Sequence, residues 1–428
     1  MSADLYRCGG KNLSRRYSKV AEVWGLAAAF VFTLGQANAS TAITLSQAWE
    51  RALQGNPSLL AGERNAGIAE GERRQAGVLP NPELSWEVED TRSATRTTTV
   101  QISQPIELGG KRGARIELAE RGIDSASIGQ EQLRNELRAE VVAAFQGTLL
   151  ATMRQTLAEQ AQALSERGVA VVEARVKAGK ASPLEVARAR LQLDEVRLET
   201  ARARDQRRNA MSQLLAVIGP QASADELELS GDAASMPALP GVTALLRRLD
   251  SAAPMRLAQI EIERQEAAIA VEKSRRIADL TVSLGSQYSR EDRERVNLLG
   301  LSMPLPLFDR NQGNVLAASR RAEQARDLRN AAQLRLRSEV QQAHQQWRTA
   351  QGAIRSFEDG LLAAADQALE STTRGFQMGK FAFIDVLDAQ RTLIDVRSRY
   401  LLALDEALAA WVRLERIYGD LSASTDGY

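Results

Sequence analysis

The chain of 428 residues carries 55 lysine and arginine residues against 54 aspartate and glutamate residues, for a formal net charge of +1. This near balance gives no support to a nucleic-acid-binding protein, which would carry a basic patch or a basic excess. Aromatic residues make up only 4 % of the chain and charged residues 25 %, a composition typical of long helices rather than of a compact mixed core.

Residues 1–39 are predicted to form a secretory signal peptide. Basic residues precede an apolar run that spans residues 20–34, and the small residues Ala37 and Ala39 follow it as a cleavage site. The run is too short to favour a membrane-spanning helix. The single cysteine, Cys8, lies in the charged segment with no apolar run before it, so no lipid anchor is expected there.

The first half of the mature chain, residues 40–219, is predicted to begin with a helix and a β-hairpin. A helical pattern runs from Leu45 to about Gly77, with Pro57 at a helix start. Over residues 83–104, apolar and polar residues alternate on both sides of a polar tip. This period of two predicts a hairpin with one apolar face.

A long helical hairpin completes the first half. The helical pattern that begins near Gly109 runs nearly unbroken to Ala178, on the order of 90–100 Å at the α-helical rise. A turn near Gly179 reverses the chain, and a second helix returns to Gly219. Glycine is the residue that best ends a helix, which supports this boundary.

The second half repeats this plan. A connector rich in Pro, Ala and Gly covers residues 220–241, and the second repeat covers residues 242–419. It is predicted to contain a helix, a β-hairpin over about 279–303, and a long helical hairpin with its turn near residue 379. Residues 420–428 form a C-terminal tail.

The similarity of the two halves indicates a tandem duplication. AGKASPLEVARARLQLDEVR, which starts at Ala178, aligns without a gap with MGKFAFIDVLDAQRTLIDVR, which starts at Met378. Alternate steps of three and four residues from Val386 meet only apolar or aromatic residues, which is a coiled-coil seam. In the first copy, only Thr200 and Arg207 interrupt the equivalent seam.

The four predicted strands have the length that crosses a bilayer when tilted. Four strands cannot close a barrel, and neither lipid nor water tolerates open strand edges beside an apolar face. Several chains are therefore expected to pool their strands. A trimer, with about twelve strands, is the smallest assembly whose interior is wide enough to conduct solutes. The long helices would continue this barrel as a tube.

Two stretches at the ends of the predicted hairpins carry a family resemblance. QPIELGGKRGARIELAE from Gln104 and SMPLPLFDRNQGN from Ser302 resemble the TolC-like outer-membrane efflux ducts, in particular the outer-membrane subunits of heavy-metal exporters of the cobalt-zinc-cadmium and copper-silver type. The strand-to-helix junction residues in these stretches are Pro105, Gly109, Gly110, Pro304 and Pro306.

The resemblance covers essentially the whole mature chain. It implies a mostly α fold with a membrane β part, in which a homotrimeric twelve-stranded β-barrel is continued by an α-helical periplasmic tunnel. It also implies a location in the outer membrane of a Gram-negative bacterium. The implied partners are a periplasmic membrane-fusion adaptor and an inner-membrane pump of the RND type.

The second helix reversal, GKFAFIDVLDAQRTL, holds the candidate entrance residues. Asp385 and Asp388 are three residues apart and share a helix face, so three-fold symmetry would turn them into two rings of carboxylates that attract cations. The resemblance implies that aspartates of this motif ring the periplasmic entrance. Glu185 occupies the equivalent place in the first copy. Alternatively, these carboxylates only satisfy a helix dipole.

The two helix tips are candidate contacts for the adaptor. Gly179 and Gly379 are expected to supply the backbone freedom of tight helical hairpins. The resemblance implies that an adaptor docks at these tips, which makes Lys180 and Lys380 candidate contact residues.

Polar and aromatic residues near the predicted hairpins have two interpretations each. Arg112, Arg115 and Arg310 are interpreted as solvated helix-start residues, with lipid headgroups or charges inside the tube as the alternative. Trp86 and Tyr288 are candidates for an interfacial aromatic girdle.

Catalysis finds no support in the sequence. No glycine-rich phosphate loop, nucleophile with a neighbouring histidine, or cluster of metal ligands is recognisable, so no cofactor is expected. The lone His344 is interpreted as a solvated helix residue rather than a metal ligand. A passive duct driven by a separate pump is the preferred hypothesis. The alternatives are a protein-secretion or drug-efflux duct of the same fold, or a soluble periplasmic coiled-coil scaffold, against which the strand segments argue.

Overall fold

The computed structural model describes residues 42–219, 228–235 and 238–421. The predicted signal peptide with Cys8, part of the connector and most of the C-terminal tail lie outside the described residues. The elements of the first half are α1 (Leu45–Gly55), α2 (Pro57–Ala76), β1 (Glu83–Glu89), β2 (Thr97–Ile106), α3 (Lys111–Lys177) and α4 (Pro183–Ile218).

The second half follows the same order. Its elements are α5 (Val242–Arg248) with a 3₁₀ turn (Leu249–Ser251), α6 (Ala253–Ser274), β3 (Leu280–Ser289), β4 (Glu294–Ser302), α7 (Gln312–Ser356), a π turn (Phe357–Leu361), α8 (Leu362–Gln377) and α9 (Phe383–Tyr418). The predicted fold class is confirmed for one chain: it is mostly helical, with long helical hairpins and four antiparallel strands.

The helical stretch predicted from Leu45 to about Gly77 is two helices, and the predicted helix start at Pro57 is confirmed. Asn56 has an extended backbone, and its side chain accepts a hydrogen bond from the Ser58 N–H at 2.9 Å. That cap starts a new helix at Pro57. The long helix of the second half contains the π turn, beside which the Tyr400 hydroxyl donates to a Glu358 carboxylate oxygen at 2.9 Å.

The coiled-coil seam is packed within the chain. Every seam position of α9 is buried or half-buried, including Leu393, Ala407 and Leu414. Thr200 interrupts the seam of α4, yet it is also buried because its hydroxyl donates to carbonyl oxygens of its own helix and of α3, at 2.9 and 3.1 Å. A buried hydroxyl with partners is tolerated in an apolar seam.

The contacts between helices join the two repeats. α3 packs against α2, α4, α6 and α9, and α9 also packs against α7 and α8. α6 packs against α7 as well. In the described part of the chain, α6 and α9 therefore each connect α3, of the first repeat, to α7, of the second.

The strands form one antiparallel sheet in the order β1-β2-β3-β4. A line across the sheet joins the partners Leu84, Ile102, Leu284 and Leu299. Neither outer strand, β1 nor β4, has a further strand partner among the described residues. The sheet is therefore open at both edges.

Candidate functional site

The two helix tips are built in the same way. Gly179 and Gly379 have left-handed backbones with φ of 70° and 74°. The following residues, Lys180 and Lys380, each donate the backbone N–H to the carbonyl five residues earlier at 2.8 Å. This pattern is a Schellman motif, which satisfies the last carbonyls of a helix. Both lysine side chains are exposed.

The two tips pack against each other through an apolar cluster. The guanidinium carbon of Arg175, in the first tip, lies 4.4 Å from the ring centroid of Phe376, in the second. The ring centroids of Phe376 and Phe383 are 5.6 Å apart. The cluster joins helices of both repeats, so the tips form one unit. Its buried members are Val172, Ala189, Phe376, Phe383 and Leu387.

The second tip has a local feature that no motif in the sequence indicates. A Cβ atom on the buried Gly375 would overlap the ring of Phe381. Only glycine therefore allows Phe381 to fold back onto α8. The first repeat has Arg175 and Ala181 at the equivalent positions, so the two tips present different surfaces.

The candidate entrance carboxylates differ in their bonding. The Asp385 carboxylate accepts the backbone N–H of Ala382 at 2.8 Å, and Glu185 accepts that of Ser182 at 3.4 Å. Both cap the first turn of their helices. The Asp388 carboxylate is exposed and has no hydrogen-bonding or ionic partner in the described part of the chain. Asp388 is thus the candidate without a structural task.

The sheet has one apolar and one polar face. Because cross-strand partners share a face, the register puts Leu84, Trp86, Ile102 and Leu284 on the same side. Trp86 is 71 % exposed and Leu299, on the same face, is 75 % exposed. The other face is mostly polar, with Val296 and Leu298 of β4 as its apolar exceptions. Its polar residues are Glu83, Glu87, Glu89, Gln101, Ser103, Ser283, Gln287 and Glu294.

The first strand-to-helix junction is tightly fixed. Gly109 has φ of 70°, and a Cβ there would lie 2.8 Å from the Cβ of Ile277. Gly110 also has a positive φ and immediately precedes α3. Lys111 Nζ lies 2.7 Å from a carboxylate oxygen of Asp279. Pro105 lies within β2, opposite Thr281, so the strand extends beyond the predicted end.

The second junction is held differently. Asn311 has φ of 55°, and its side-chain amide donates to a carboxylate oxygen of Glu272 at 2.7 Å. Pro304 and Pro306 lie in the exposed segment between β4 and α7. Phe308, in the same segment, is 92 % exposed.

The junction arginines are not simply solvated. The Arg115 guanidinium is half-buried, forms an ion pair with Glu107 and donates to the Ala76 carbonyl at 3.3 Å. Arg112 donates to the Gly77 carbonyl at 2.7 Å. The solvated interpretation is therefore wrong for Arg115, because the carbonyls at the end of α2 need donors. Trp86 and Tyr288 share the apolar face of the sheet with the cross-strand partners described above.

A buried ion pair near the end of α9 is also not indicated by any motif in the sequence. The Glu415 side chain is only 3 % exposed and accepts hydrogen bonds from Arg138 Nε at 2.8 Å and Trp411 Nε1 at 3.0 Å. Burial raises the pKa of Glu415, while Arg138 opposes the rise. Arg138 also pairs with Asp420 and lies over the ring of Trp49. This cluster joins α1, α3 and α9.

The interpretation of His344 as a solvated residue is wrong. It is buried on the core side of α7, next to Trp347, with ring centroids 6.3 Å apart. Burial lowers its pKa.

Within the described ranges, no group of three or more His, Cys, Asp or Glu side chains is arranged to hold a metal ion. None of the described helices combines the length and apolar character that crossing a membrane requires.

Comparison with known proteins identifies the family. The pattern of the family described as outer membrane efflux protein matches residues 48–220 and 245–420. The chain is 37 % identical over 410 residues to the cobalt-zinc-cadmium resistance protein CzcC of Cupriavidus metallidurans, covering 92 % of this chain and 98 % of that one. It is 29 % identical to the nickel-cobalt-cadmium resistance protein NccC of Alcaligenes xylosoxydans xylosoxydans, covering 70 % and 69 %.

The fold is also similar to a solved structure. A crystal structure of CusC matches with a TM-score of 0.69 at 19 % identity, covering 87 % of this chain and 90 % of that one. The resemblance drawn from the junction sequences is thereby confirmed, and the relatives are efflux proteins rather than enzymes. The chain belongs to the outer membrane efflux protein family.

Proposed function

We propose that this protein is the outer-membrane exit duct of a tripartite efflux system. Three copies pool their strands into one barrel of about twelve strands, and their helices continue the barrel as a tunnel in the periplasm. The duct is passive. An inner-membrane pump of the RND type supplies the energy, and a periplasmic adaptor connects the pump to the helix tips.

The open sheet is the single observation that carries this proposal. Its apolar face exposes large side chains such as Trp86 and Leu299, and both of its outer strands lack partners among the described residues. Lipid would cover the apolar face, and identical copies would pair the open edges. The polar face would then line an aqueous pore.

The tips support the assignment of the entrance. They pack together as one unit and expose Lys180 and Lys380 at the turns, where an adaptor would dock. Three copies would bring Asp388 and the neighbouring Asp385 into rings at the narrow end. Since Asp388 has no other partner in the described chain, it is the better candidate for an effect on passing cations.

Heavy-metal cations are the proposed cargo. The relatives CzcC and NccC are described as resistance proteins for cobalt, zinc and cadmium and for nickel, cobalt and cadmium. The metal would be transported and not stored, in keeping with a pore wall that needs no coordinating cluster. The alternative cargoes, drugs or secreted proteins, remain outcomes of the experiment below.

Deletion and complementation test the proposed function. The strain that lacks the gene is expected to lose tolerance to zinc, cadmium or cobalt while its tolerance to antibiotics stays unchanged. The wild-type gene should restore tolerance. A strain that loses only antibiotic tolerance or only protein secretion would contradict the metal cargo. Unchanged tolerance to every compound, together with full release of the protein by osmotic shock, would contradict the duct itself.

A further inference from the structure

The register of the sheet limits how two copies can join. The partners Leu84, Ile102, Leu284 and Leu299 mark one line across all four strands of a chain. In a closed barrel, Leu299 on the open edge of β4 must face a residue on the open edge of β1 in the next copy. The residue that it faces defines the offset between copies. This inference rests on the proposed trimer.

Alternation of the two faces excludes half of the offsets. A one-residue slip exchanges the faces of a strand, so pairing Leu299 with Glu87 would put a carboxylate on the lipid side. Leu299 must therefore face an even-numbered residue of β1, since Leu84 and Trp86 share its face. The remaining choices are Leu84, Trp86, Val88 and, at the tip, Asp90.

The tilt of a barrel selects among these choices. If Leu299 faces Val88, the line of partners enters the next copy four residues further along β1 than Leu84, where it began (88 − 84). Over three copies this shift adds up to twelve residues, which is the shear of the barrel. A barrel whose shear equals its number of strands has a tilt of about 36°, within the usual 35–45°. Facing Trp86 halves the shear and gives only about 20°, and facing Leu84 gives no tilt.

Local structure excludes the larger and the reverse offsets. Asp90 has φ of 55° and accepts hydrogen bonds from the Arg92 N–H and the Thr95 hydroxyl, which hold it in the hairpin tip. A reverse shift of four residues would set Leu299 against Pro80, outside β1. It would also set the apolar Leu84 against Arg295.

We propose that β4 of one copy pairs with β1 of the next with Leu299 opposite Val88. The same register puts Leu301 opposite Trp86 and Met303 opposite Leu84. Leu301 is 69 % exposed in the single chain, and this seam covers it with an apolar partner. In this register Trp86 meets Leu301, so two strongly exposed apolar side chains cover each other, while Leu299 meets the half-buried Val88. Met303, opposite Leu84, lies just beyond the end of β4.

The seam also bears on the exposed segment after β4. In the proposed pairing, the segment that follows β4 and the segment that precedes β1 of the next copy leave the seam at the same end, with Phe308 on the first and Leu79 on the second. Phe308 is 92 % exposed and Leu79 is 63 % exposed. We assign these two segments to one apolar contact between copies, just below the barrel.

Pairs of cysteines test the register directly. The single native cysteine, Cys8, lies within the predicted signal peptide. The described part of the chain therefore holds no native thiol that could form a disulfide with the introduced cysteines. The variant Val88→Cys with Leu299→Cys is oxidised with copper phenanthroline in outer-membrane vesicles and analysed on a non-reducing gel. The comparison pairs combine Leu299→Cys with Trp86→Cys or Asp90→Cys, and the matched control combines it with Glu87→Cys on the opposite face.

The expected main product of the 88/299 pair is a covalent trimer, with little product from the other pairs. Predominant linking of the 86/299 or 90/299 pair would overturn the register and leave the trimer intact. Absence of any link in particles with the mass of three chains would overturn pairing of β1 with β4. If no link forms and the particles have the mass of a single chain, the proposed trimer is overturned as well. A Leu79→Cys, Phe308→Cys pair that a short bismaleimide fails to link would overturn the apolar contact.

Discussion

The helices and the sheet of this chain treat their apolar residues in opposite ways. Along α9, the seam from Leu393 to Leu414 is packed within the same chain. On the sheet, residues such as Trp86 and Leu299 face outward, and the outer strands have open edges. The helical body therefore obtains its core from one chain, whereas the sheet needs lipid and further copies. Folding stability and pore formation should respond to different substitutions.

The largest expected effect belongs to the helical body. Arg138→Ala removes the ionic partner of the buried Glu415, and breaking a buried ion pair costs about 3–5 kcal/mol. Burial already raises the pKa of Glu415, and loss of Arg138 should raise it further. The folded state then binds more protons than the unfolded state, so stability falls as pH rises above the ordinary pKa of glutamate. Thermal unfolding in detergent at several pH values measures this.

The control for that variant is the double substitution Arg138→Ala with Glu415→Gln. It removes the titrating group, so the additional dependence on pH should disappear. A loss of stability in Arg138→Ala that is the same at acid and neutral pH would contradict the role assigned to the buried carboxylate.

A slightly smaller loss is expected from a cavity in the seam. Leu404 is 0 % exposed, and Leu404→Ala should cost about 2–5 kcal/mol of unfolding free energy because the buried side chain leaves a cavity. The matched control is Leu402→Ala on the same helix, where the side chain is 52 % exposed. Equal midpoints of the helical circular dichroism signal for both variants would show that the core is not formed within one chain.

The sheet should respond to charge in a face-dependent way. Ile102→Arg puts a charge on the apolar face, which costs about 2–4 kcal/mol near the bilayer centre. Gln101→Arg, one residue away on the polar face, is the matched control and should insert normally. The fraction of protein recovered in outer-membrane particles measures the difference. Equal recovery of the two variants would mean that the apolar face does not meet lipid.

The smallest effects are expected at the tips, where substitutions of the two aspartates should have different effects. Asp385→Ala loses a hydrogen bond to the Ala382 N–H and should cost about 1 kcal/mol. Asp388→Ala should leave the unfolding midpoint unchanged and reduce the preference for cations, measured as the reversal potential in a planar bilayer. If the reversal potential is unchanged in Asp388→Ala and also in the double variant Asp385→Ala, Asp388→Ala, the carboxylate rings do not set the preference for cations.

Local and periodic features could be predicted from the sequence. The alternation around Trp86 indicates a strand with one apolar face, because a period of two depends only on neighbouring residues. The seam of α9 is recognisable for the same reason at a period of three and four residues. The positions of Gly179 and Gly379 predict tight turns, and the structure gives both residues a positive φ.

Features that depend on distant contacts could not be predicted. Arg138 and Glu415 are 277 residues apart, and no local pattern indicates that they meet. His344 lies in a polar stretch, and the sequence does not reveal that its side of α7 faces the core. At the candidate entrance, the spacing of Asp385 and Asp388 predicts a shared helix face but does not indicate which of them caps the helix. Only the hydrogen bond of Asp385 distinguishes their tasks.

The mass of the protein in mild detergent tests the central claim most directly, since that claim is that one chain cannot enclose a pore. Native mass spectrometry of protein extracted from outer membranes should give a particle of three chains, and the same particle should conduct ions in a planar bilayer. A single chain that conducts ions by itself would contradict the account.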